Sequence, residues 1–194
     1  RPSLGGPSQY RKRGAGISWR KGRMSGTQFD HLKALVVEDN PHMLELLRTL
    51  LNAIGIKKVF LAADGGEAFK QLCENKPDFV LTDLSMKPVD GIEFTKMVRA
   101  SQDAPNPYVP IVMVTGHTER HRIEMARDAG VTEIIAKPIT PQGLYSRVAE
   151  IVERPRAFVR AQEFFGPDRR RRGNREFSGP WRRHDDFTDE VEVR

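Results

Sequence analysis

Cysteine is almost absent from this sequence of 194 residues, since Cys73 is the only one. A single cysteine excludes an internal disulfide framework. Long apolar runs are missing too: none approaches the ~20 residues that a membrane-spanning helix requires. The basic N-terminal region also lacks the apolar segment of a secretory signal. We therefore expect a soluble, cytoplasmic protein.

Charge of one sign is not evenly spread. The chain has 32 Lys and Arg against 26 Asp and Glu, which gives a net charge of +6. The excess of positive charge lies in residues 1–30 and 154–194, whereas residues 31–153 are net negative. The basic character therefore belongs to the flanks and says little about what the centre does.

Both flanks lack the apolar periodicity of a folded core. Residues 1–31 are rich in Gly, Ser, Arg and Lys and are predicted to be disordered. We interpret Met24 as the biological start, with residues 1–23 upstream of it. Residues 154–194 contain Arg169–Arg172 and two Gly-Pro steps, and we predict a disordered, Arg-rich tail. One domain, residues 32–153, remains.

Strand and helix patterns alternate through five units in this domain. Short, continuous apolar runs are typical of strands buried on both faces, as in a parallel sheet. Cap signals separate them: Asn40-Pro41 opens the first helix and Gly55 ends it. The pattern predicts an α/β fold with helices on both faces of a parallel sheet. The predicted strands begin at Lys33, Lys58, Phe79, Ile111 and Thr132.

Chemically active side chains stand at the ends of four of these strands. They are Glu38 and Asp39, Asp83, Thr115 and Lys137. The carboxyl ends of parallel strands share one edge, so these side chains are expected to converge. Three neighbouring carboxylates repel one another unless a cation joins them, and Mg²⁺ would leave positions open for a phosphoryl group.

Phosphoryl chemistry suits this set of residues. An Asp can attack phosphorus and form an aspartyl phosphate, while a lysine and a hydroxyl neutralise and bind the phosphoryl oxygens. Each residue also has a simpler interpretation. Glu38-Asp39 could cap a helix, Thr115 could open a turn, and Lys137 could be a solvated surface charge. Asp83 could likewise be a cap or turn residue.

Four motifs carry a family resemblance. They are Val36–Asn40, Leu81–Met86 with Asp90-Gly91, Val112–Gly116, and Ile135–Pro138. With them the chain resembles the receiver domains of two-component response regulators over about residues 32–152. The resemblance implies a flavodoxin-like, doubly wound sheet of five parallel strands in the order 2-1-3-4-5.

The resemblance also implies the roles of the site residues. Asp83 is the phosphoacceptor, Thr115 the switch hydroxyl and Lys137 the phosphate-binding lysine, with a cis bond to Pro138. Mg²⁺ is held by the carboxylates of Glu38, Asp39 and Asp83 and by the backbone carbonyl of Ser85. The phosphoryl group comes from a histidine kinase or phosphotransfer protein. No enzymatic activity is expected beyond self-phosphorylation and autodephosphorylation.

Two positions depart from the family pattern. Ile134 stands three residues before the lysine, where an aromatic switch residue is usual, and Lys87 stands where a proline is common. No output module is recognised after residue 153, so we expect a stand-alone receiver. Such receivers signal through the surface of the fourth helix, fifth strand and fifth helix, here about residues 119–152.

Three other functions are compatible with parts of this sequence. The Arg and aromatic residues of the tail could bind nucleic acid, although its acidic residues also fit a solvated, self-balancing segment, and an acidic protein surface is a third option. Those aromatic residues are Phe164, Phe165, Phe177 and Trp181. A flavodoxin-like or Rossmann-like cofactor binder is disfavoured, since Asp64-Gly65-Gly66 is not a phosphate-binding glycine motif.

Overall fold

The architecture is a parallel sheet of five strands covered by helices on both faces. It comes from a computed structural model that describes residues 29–116, 120–160 and 164–169. The strands are β1 (Lys33–Val37), β2 (Lys58–Ala62), β3 (Phe79–Asp83), β4 (Ile111–Thr115) and β5 (Glu133–Ala136). The helices are α1 (Pro41–Ala53), α2 (Gly65–Asn75), α3 (Gly91–Ala100), α4 (Arg120–Asp128) and α5 (Pro141–Glu153).

The sheet order is β2-β1-β3-β4-β5, with all strands parallel. This confirms the predicted order 2-1-3-4-5. β3 and β4 are buried at every position, as their continuous apolar runs predicted. Along β1, Ala34 and Val36 pack towards α1 and α5, while Leu35 and Val37 pack towards α2 and α3. The alternation of side chains along a strand therefore divides the core into two layers.

A third, smaller cluster lies under α3 and α4. Leu84 and Met113 are buried there, and Ile134 is half-buried against it from β5. Of the residues of α4, only Ala126 is fully buried. This helix is therefore held by a narrow apolar contact, unlike α1 and α5.

The segment after α5 is not disordered throughout, so part of the tail prediction is wrong. β6 (Phe158–Arg160) and β7 (Phe165–Pro167) form an antiparallel hairpin, and Arg156 pairs with the buried Glu133. Strands of three residues containing Arg, Gly and Pro give no alternation to detect in the sequence. Residues 170–194 lie outside the described residues.

An aromatic cluster holds this hairpin on the domain. The ring of Tyr108 lies 5.3 Å from the rings of both Phe158 and Phe165, edge to face in each case. The guanidinium of Arg99 lies 5.1 Å from the ring of Phe158 and donates to the carbonyls of Pro107 and Gly130. The hairpin therefore packs where α3 and α4 end, away from the carboxyl ends of the strands.

The N-terminal boundary also needs correction. Phe29 was placed in the disordered extension, but it is 1% exposed, and its ring centroid lies 5.4 Å from that of Tyr145 in α5. The folded domain therefore includes at least residue 29. Residues 1–28, with Met24, lie outside the described residues.

Removing the hairpin should destabilise the domain. A chain ending at residue 153 is expected to lose about 2 kcal/mol of unfolding free energy, because the aromatic and cation–π contacts go with the hairpin. Thermal denaturation should then show Tm lower by roughly 4–8 °C. A chain ending at residue 169 is the control and should match the full chain. Equal Tm for all three would contradict the packing described.

Candidate functional site

Asp83 lies at the carboxyl end of the central strand β3 and is 6% exposed. Its Oδ1 accepts a hydrogen bond from Lys137 Nζ at 2.8 Å, and its Oδ2 accepts one from the backbone N–H of Ser85 at 2.8 Å. Each carboxylate oxygen therefore has a fixed partner, which orients the carboxylate without enclosing it. Asp83 caps no helix, contrary to its simpler interpretation, because Asp90 caps α3.

Glu38 and Asp39 follow β1, beside β3. Glu38 is 3% exposed, and its Oε2 accepts a hydrogen bond from Lys137 Nζ at 3.1 Å. Asp39 is exposed. The simpler interpretation of this pair as a helix cap is wrong, because Asn40 caps α1 through its contacts with the N–H groups of His42 and Met43.

Lys137 bridges the two buried carboxylates. Its side chain is 25% exposed, so it is not a freely solvated surface charge. Its backbone N–H donates to the carbonyl of Thr115 at 2.8 Å, and its bond to Pro138 is cis, as the resemblance implied; the bond between Lys87 and Pro88 is cis as well. The lysine is therefore held against β4 while its ammonium group spans β1 and β3.

The electrostatics of this group are tightly coupled. Burial raises the pKa of Glu38 above its ordinary value, and repulsion by Asp83 raises it further, although Lys137 partly offsets both effects. Partial burial acts to lower the pKa of Lys137, but its hydrogen bonds and ion pairs with Asp83 and Glu38 outweigh that effect and raise it. The lysine therefore stays protonated, and its single positive charge lies between two carboxyl groups.

Thr115 ends β4 and is 2% exposed. It pairs in register with Ala136, directly before Lys137, while Val114 pairs with Asp83. The register therefore brings Thr115 to the same edge of the sheet as the carboxylates and the lysine.

Ser85 links the loop between β3 and α3 (residues 84–90, the β3–α3 loop) to α4. Its backbone N–H holds Asp83, and its side-chain oxygen accepts a hydrogen bond from Nη2 of Arg122 at 3.4 Å. Sequence reasoning missed Arg122, because a charged residue on an exposed helix gives no sign of which loop it reaches. No local pattern in the sequence could have identified it.

The Asp90-Gly91 motif supports Asp83 from behind. Asp90 caps α3 and forms a capping box with Glu93. A Cβ placed on Gly91 would lie 2.2 Å from the carbonyl oxygen of Asp83, and the N–H of Gly91 donates to the carbonyl of Leu84. The glycine therefore lets α3 pack directly on the backbone of Asp83 and Leu84.

Gly91→Ala should push α3 away from Asp83. We expect a loss of about 2 kcal/mol in unfolding free energy, because the new methyl group meets backbone rather than a flexible side chain. Chemical denaturation would measure it. Gly116→Ala is the matched control, since a Cβ there meets nothing within 4 Å. Equal stability of the two variants would show that α3 does not need this close approach.

The carboxylates at this edge of the sheet are candidate ligands for a metal ion. Within the described parts of the chain, no three His, Cys, Asp or Glu side chains are gathered closely enough to hold a metal by themselves, so the predicted triad is not a closed cluster. Glu38 and Asp83 nevertheless offer two buried, mutually repelling carboxylates, and the exposed Asp39 follows Glu38 in the chain. Mg²⁺ needs only one or two carboxylates and keeps several waters, so the residues present fit this ion.

The aromatic residues suggested for nucleic-acid stacking are partly engaged within the protein. The ring of Phe164 lies 4.4 Å from the guanidinium of Arg169, which also pairs with Asp128. Phe165 packs on Tyr108 and under Arg160. These two rings therefore do not form a free stacking surface. Arg170–Arg172, Phe177 and Trp181 lie outside the described residues.

Comparison with known proteins decides the family. The profile of the response regulator receiver domain matches residues 34–149, more than half of the chain. The chain belongs to this family. A chemotaxis protein CheY from Pseudomonas aeruginosa is 34% identical over 123 residues, which cover 63% of this chain and 98% of that relative.

Solved receiver structures agree with this receiver domain in fold. Chemotaxis protein CheY4 of Vibrio cholerae is 28% identical, with a TM-score of 0.57 over 62% of this chain and 98% of that one. The receiver domain of a sensor histidine kinase from Pseudomonas aeruginosa PAO1 is 28% identical, with a TM-score of 0.55 over 61% of this chain and 94% of that one. That structure has a magnesium ion in its active-site cleft.

These findings confirm the predicted family and the flavodoxin-like fold. The receiver domain is a module of two-component signalling rather than a conventional enzyme. No helix in the described residues is long and apolar enough to cross a membrane.

Proposed function

We propose that this receiver accepts a phosphoryl group on Asp83 from a phosphohistidine of a histidine kinase or phosphotransfer protein. The observation that carries the proposal is the buried carboxylate of Asp83, held between the ammonium of Lys137 and the N–H of Ser85. Such partners orient a nucleophile toward phosphorus and offset the negative charge brought by the phosphoryl group.

In the reaction, an oxygen of Asp83 forms a bond to phosphorus as the donor's P–N bond breaks, and the electron pair of that bond stays on the imidazole. Lys137 supplies positive charge beside the acceptor throughout. Thr115, at the adjacent strand end, donates its hydroxyl hydrogen to a phosphoryl oxygen. The product is an aspartyl phosphate, and its hydrolysis returns the carboxylate.

Mg²⁺ is the cofactor proposed for this step. The carboxylates of Glu38, Asp39 and Asp83 and the backbone carbonyl of Ser85 would hold it. When bound, the ion supplies positive charge to the phosphoryl oxygens. Its affinity is favoured by the repulsion between Glu38 and Asp83, which a cation relieves.

The output surface is proposed to be the face of α4, β5 and α5, about residues 119–152. Few residues of α4 are buried, and Met125 is exposed on it. A helix held by so few contacts can shift its population between two positions when the charge at Asp83 changes. A protein partner that prefers one position would then read phosphorylation.

Phosphoryl uptake from a small acyl phosphate tests this function. Acetyl phosphate with Mg²⁺ should add the mass of one phosphoryl group to the intact protein, and a chelator should prevent it. Absence of any added mass at saturating donor and Mg²⁺ would contradict the proposal.

A further inference from the structure

Arg122 approaches the β3–α3 loop but is not among the predicted site residues. It lies on α4, and its Nη2 donates to Ser85 Oγ at 3.4 Å, while the backbone N–H of that serine holds Asp83 Oδ2 at 2.8 Å. Ser85 therefore links the guanidinium group of Arg122 to the carboxylate of Asp83. The other basic residue near the start of this helix, Arg120, is instead paired with Glu124 on the exposed face.

The bonding capacity of Arg122 is not used up. Its Nε is buried and has no hydrogen-bond partner in the described structure. The side chain lines an open cavity of about 480 Å³ between α3 and α4, together with Lys96 and His121. The acidic residues of this cavity, Asp90 and Glu93, already serve the capping box of α3. A buried donor without a partner costs free energy, so an incoming acceptor at this place is favoured.

Phosphorylation would bring such an acceptor. Lys137 is already shared between Glu38 and Asp83, so its charge is largely committed before any phosphoryl group arrives. A phosphoryl group on Asp83 adds negative charge and several strong acceptor oxygens beside Ser85. Guanidinium groups can bind such oxygens through two parallel hydrogen bonds, and Nε of Arg122 is a buried donor without a partner in the described structure.

We propose that Arg122 is a second phosphoryl-binding cation, which draws α4 toward phosphorylated Asp83 and so couples phosphorylation to the output face. The inference rests on the proposed function of Asp83. Ile134 of β5 is half-buried against the apolar cluster under α4 and has no polar group. The positive charge of Arg122 would couple α4 to the phosphoryl group. The small apolar contact of α4 would allow the helix to move toward Asp83.

The test uses beryllium trifluoride with Mg²⁺ as a non-covalent phosphoryl mimic on the full chain. Wild type, Arg122→Gln, Arg122→Lys and the matched control Arg120→Gln are compared. Both glutamine variants remove one positive charge from α4, but only one of them removes the contact with Ser85. The readouts are the affinity for the mimic, by calorimetry, and the hydrogen-exchange protection of residues 120–128 with and without it.

We expect Arg122→Gln to weaken binding of the mimic on the order of tenfold and to lose the protection gained by α4. Arg122→Lys should recover part of both, and Arg120→Gln should behave as wild type. Equal values for Arg122→Gln and Arg120→Gln, with wild type still labelled by acetyl phosphate, would overturn this inference alone. Failure of wild type to take up either acetyl phosphate's phosphoryl group or the mimic would overturn the proposed function and the inference with it.

Discussion

Asp83→Asn should abolish phosphoryl labelling by acetyl phosphate. The substitution keeps the size of the side chain and its contact with Ser85 N–H, but an amide oxygen is a far weaker nucleophile than a carboxylate. The ion pair with Lys137 is lost as well. We expect the rate of uptake to fall by at least about a hundredfold, as for removal of an essential catalytic group. Mass spectrometry of the intact protein measures it.

Asp90→Asn is the matched control for this experiment. Asp90 is another carboxylate residue in the β3–α3 loop, and it caps α3. Asparagine caps helices as well as aspartate does. The control should therefore be labelled at the wild-type rate. Undiminished labelling of Asp83→Asn would mean that another residue accepts the phosphoryl group.

Lys137→Ala should destabilise the metal-free protein by about 3 kcal/mol. The substitution leaves Glu38 and Asp83 as neighbouring buried carboxylates with no cation, and removing one member of a buried ion pair costs about this much. Chemical denaturation in the presence of a chelator is the measurement. Mg²⁺ stabilises a protein when it binds the folded state only. It should restore more stability to this variant than to wild type, because the variant has no lysine between Glu38 and Asp83.

Two controls separate charge from packing. Lys70→Ala, at an exposed position of α2, should change stability little. The double variant Asp83→Asn with Lys137→Ala should be less destabilised than the sum of the two single variants, because the repulsion is gone. Additive effects would show that Lys137 does not compensate the carboxylates.

The sequence predicted the sheet and its edge well for physical reasons. β1, β3 and β4 are nearly continuous apolar runs, so their burial on both faces can be predicted from their own residues. Parallel pairing then places their carboxyl ends together, which brings Asp83 and Lys137 into contact although they are far apart in the chain. The helix cap at Asn40 was also recognisable, because a cap depends on residues only two or three positions away.

Features that depend on distant partners were not predictable in this way. The hairpin exists because Phe158 and Phe165 pack on Tyr108, a residue in the loop before β4. Phe29 is buried by Tyr145, near the other end of the domain. The contact of Arg122 with Ser85 likewise depends on where α4 lies relative to the β3–α3 loop. The residues next to them in the sequence do not predict these partners.

The acceptor itself can be read directly by chemical trapping. Sodium borohydride reduces an aspartyl phosphate to homoserine, and peptide mass spectrometry then identifies the residue converted. After treatment of wild type with acetyl phosphate and Mg²⁺, we expect homoserine at position 83 and at no other aspartate. Homoserine at position 39 or elsewhere, or a labelled protein without homoserine at position 83, would contradict it.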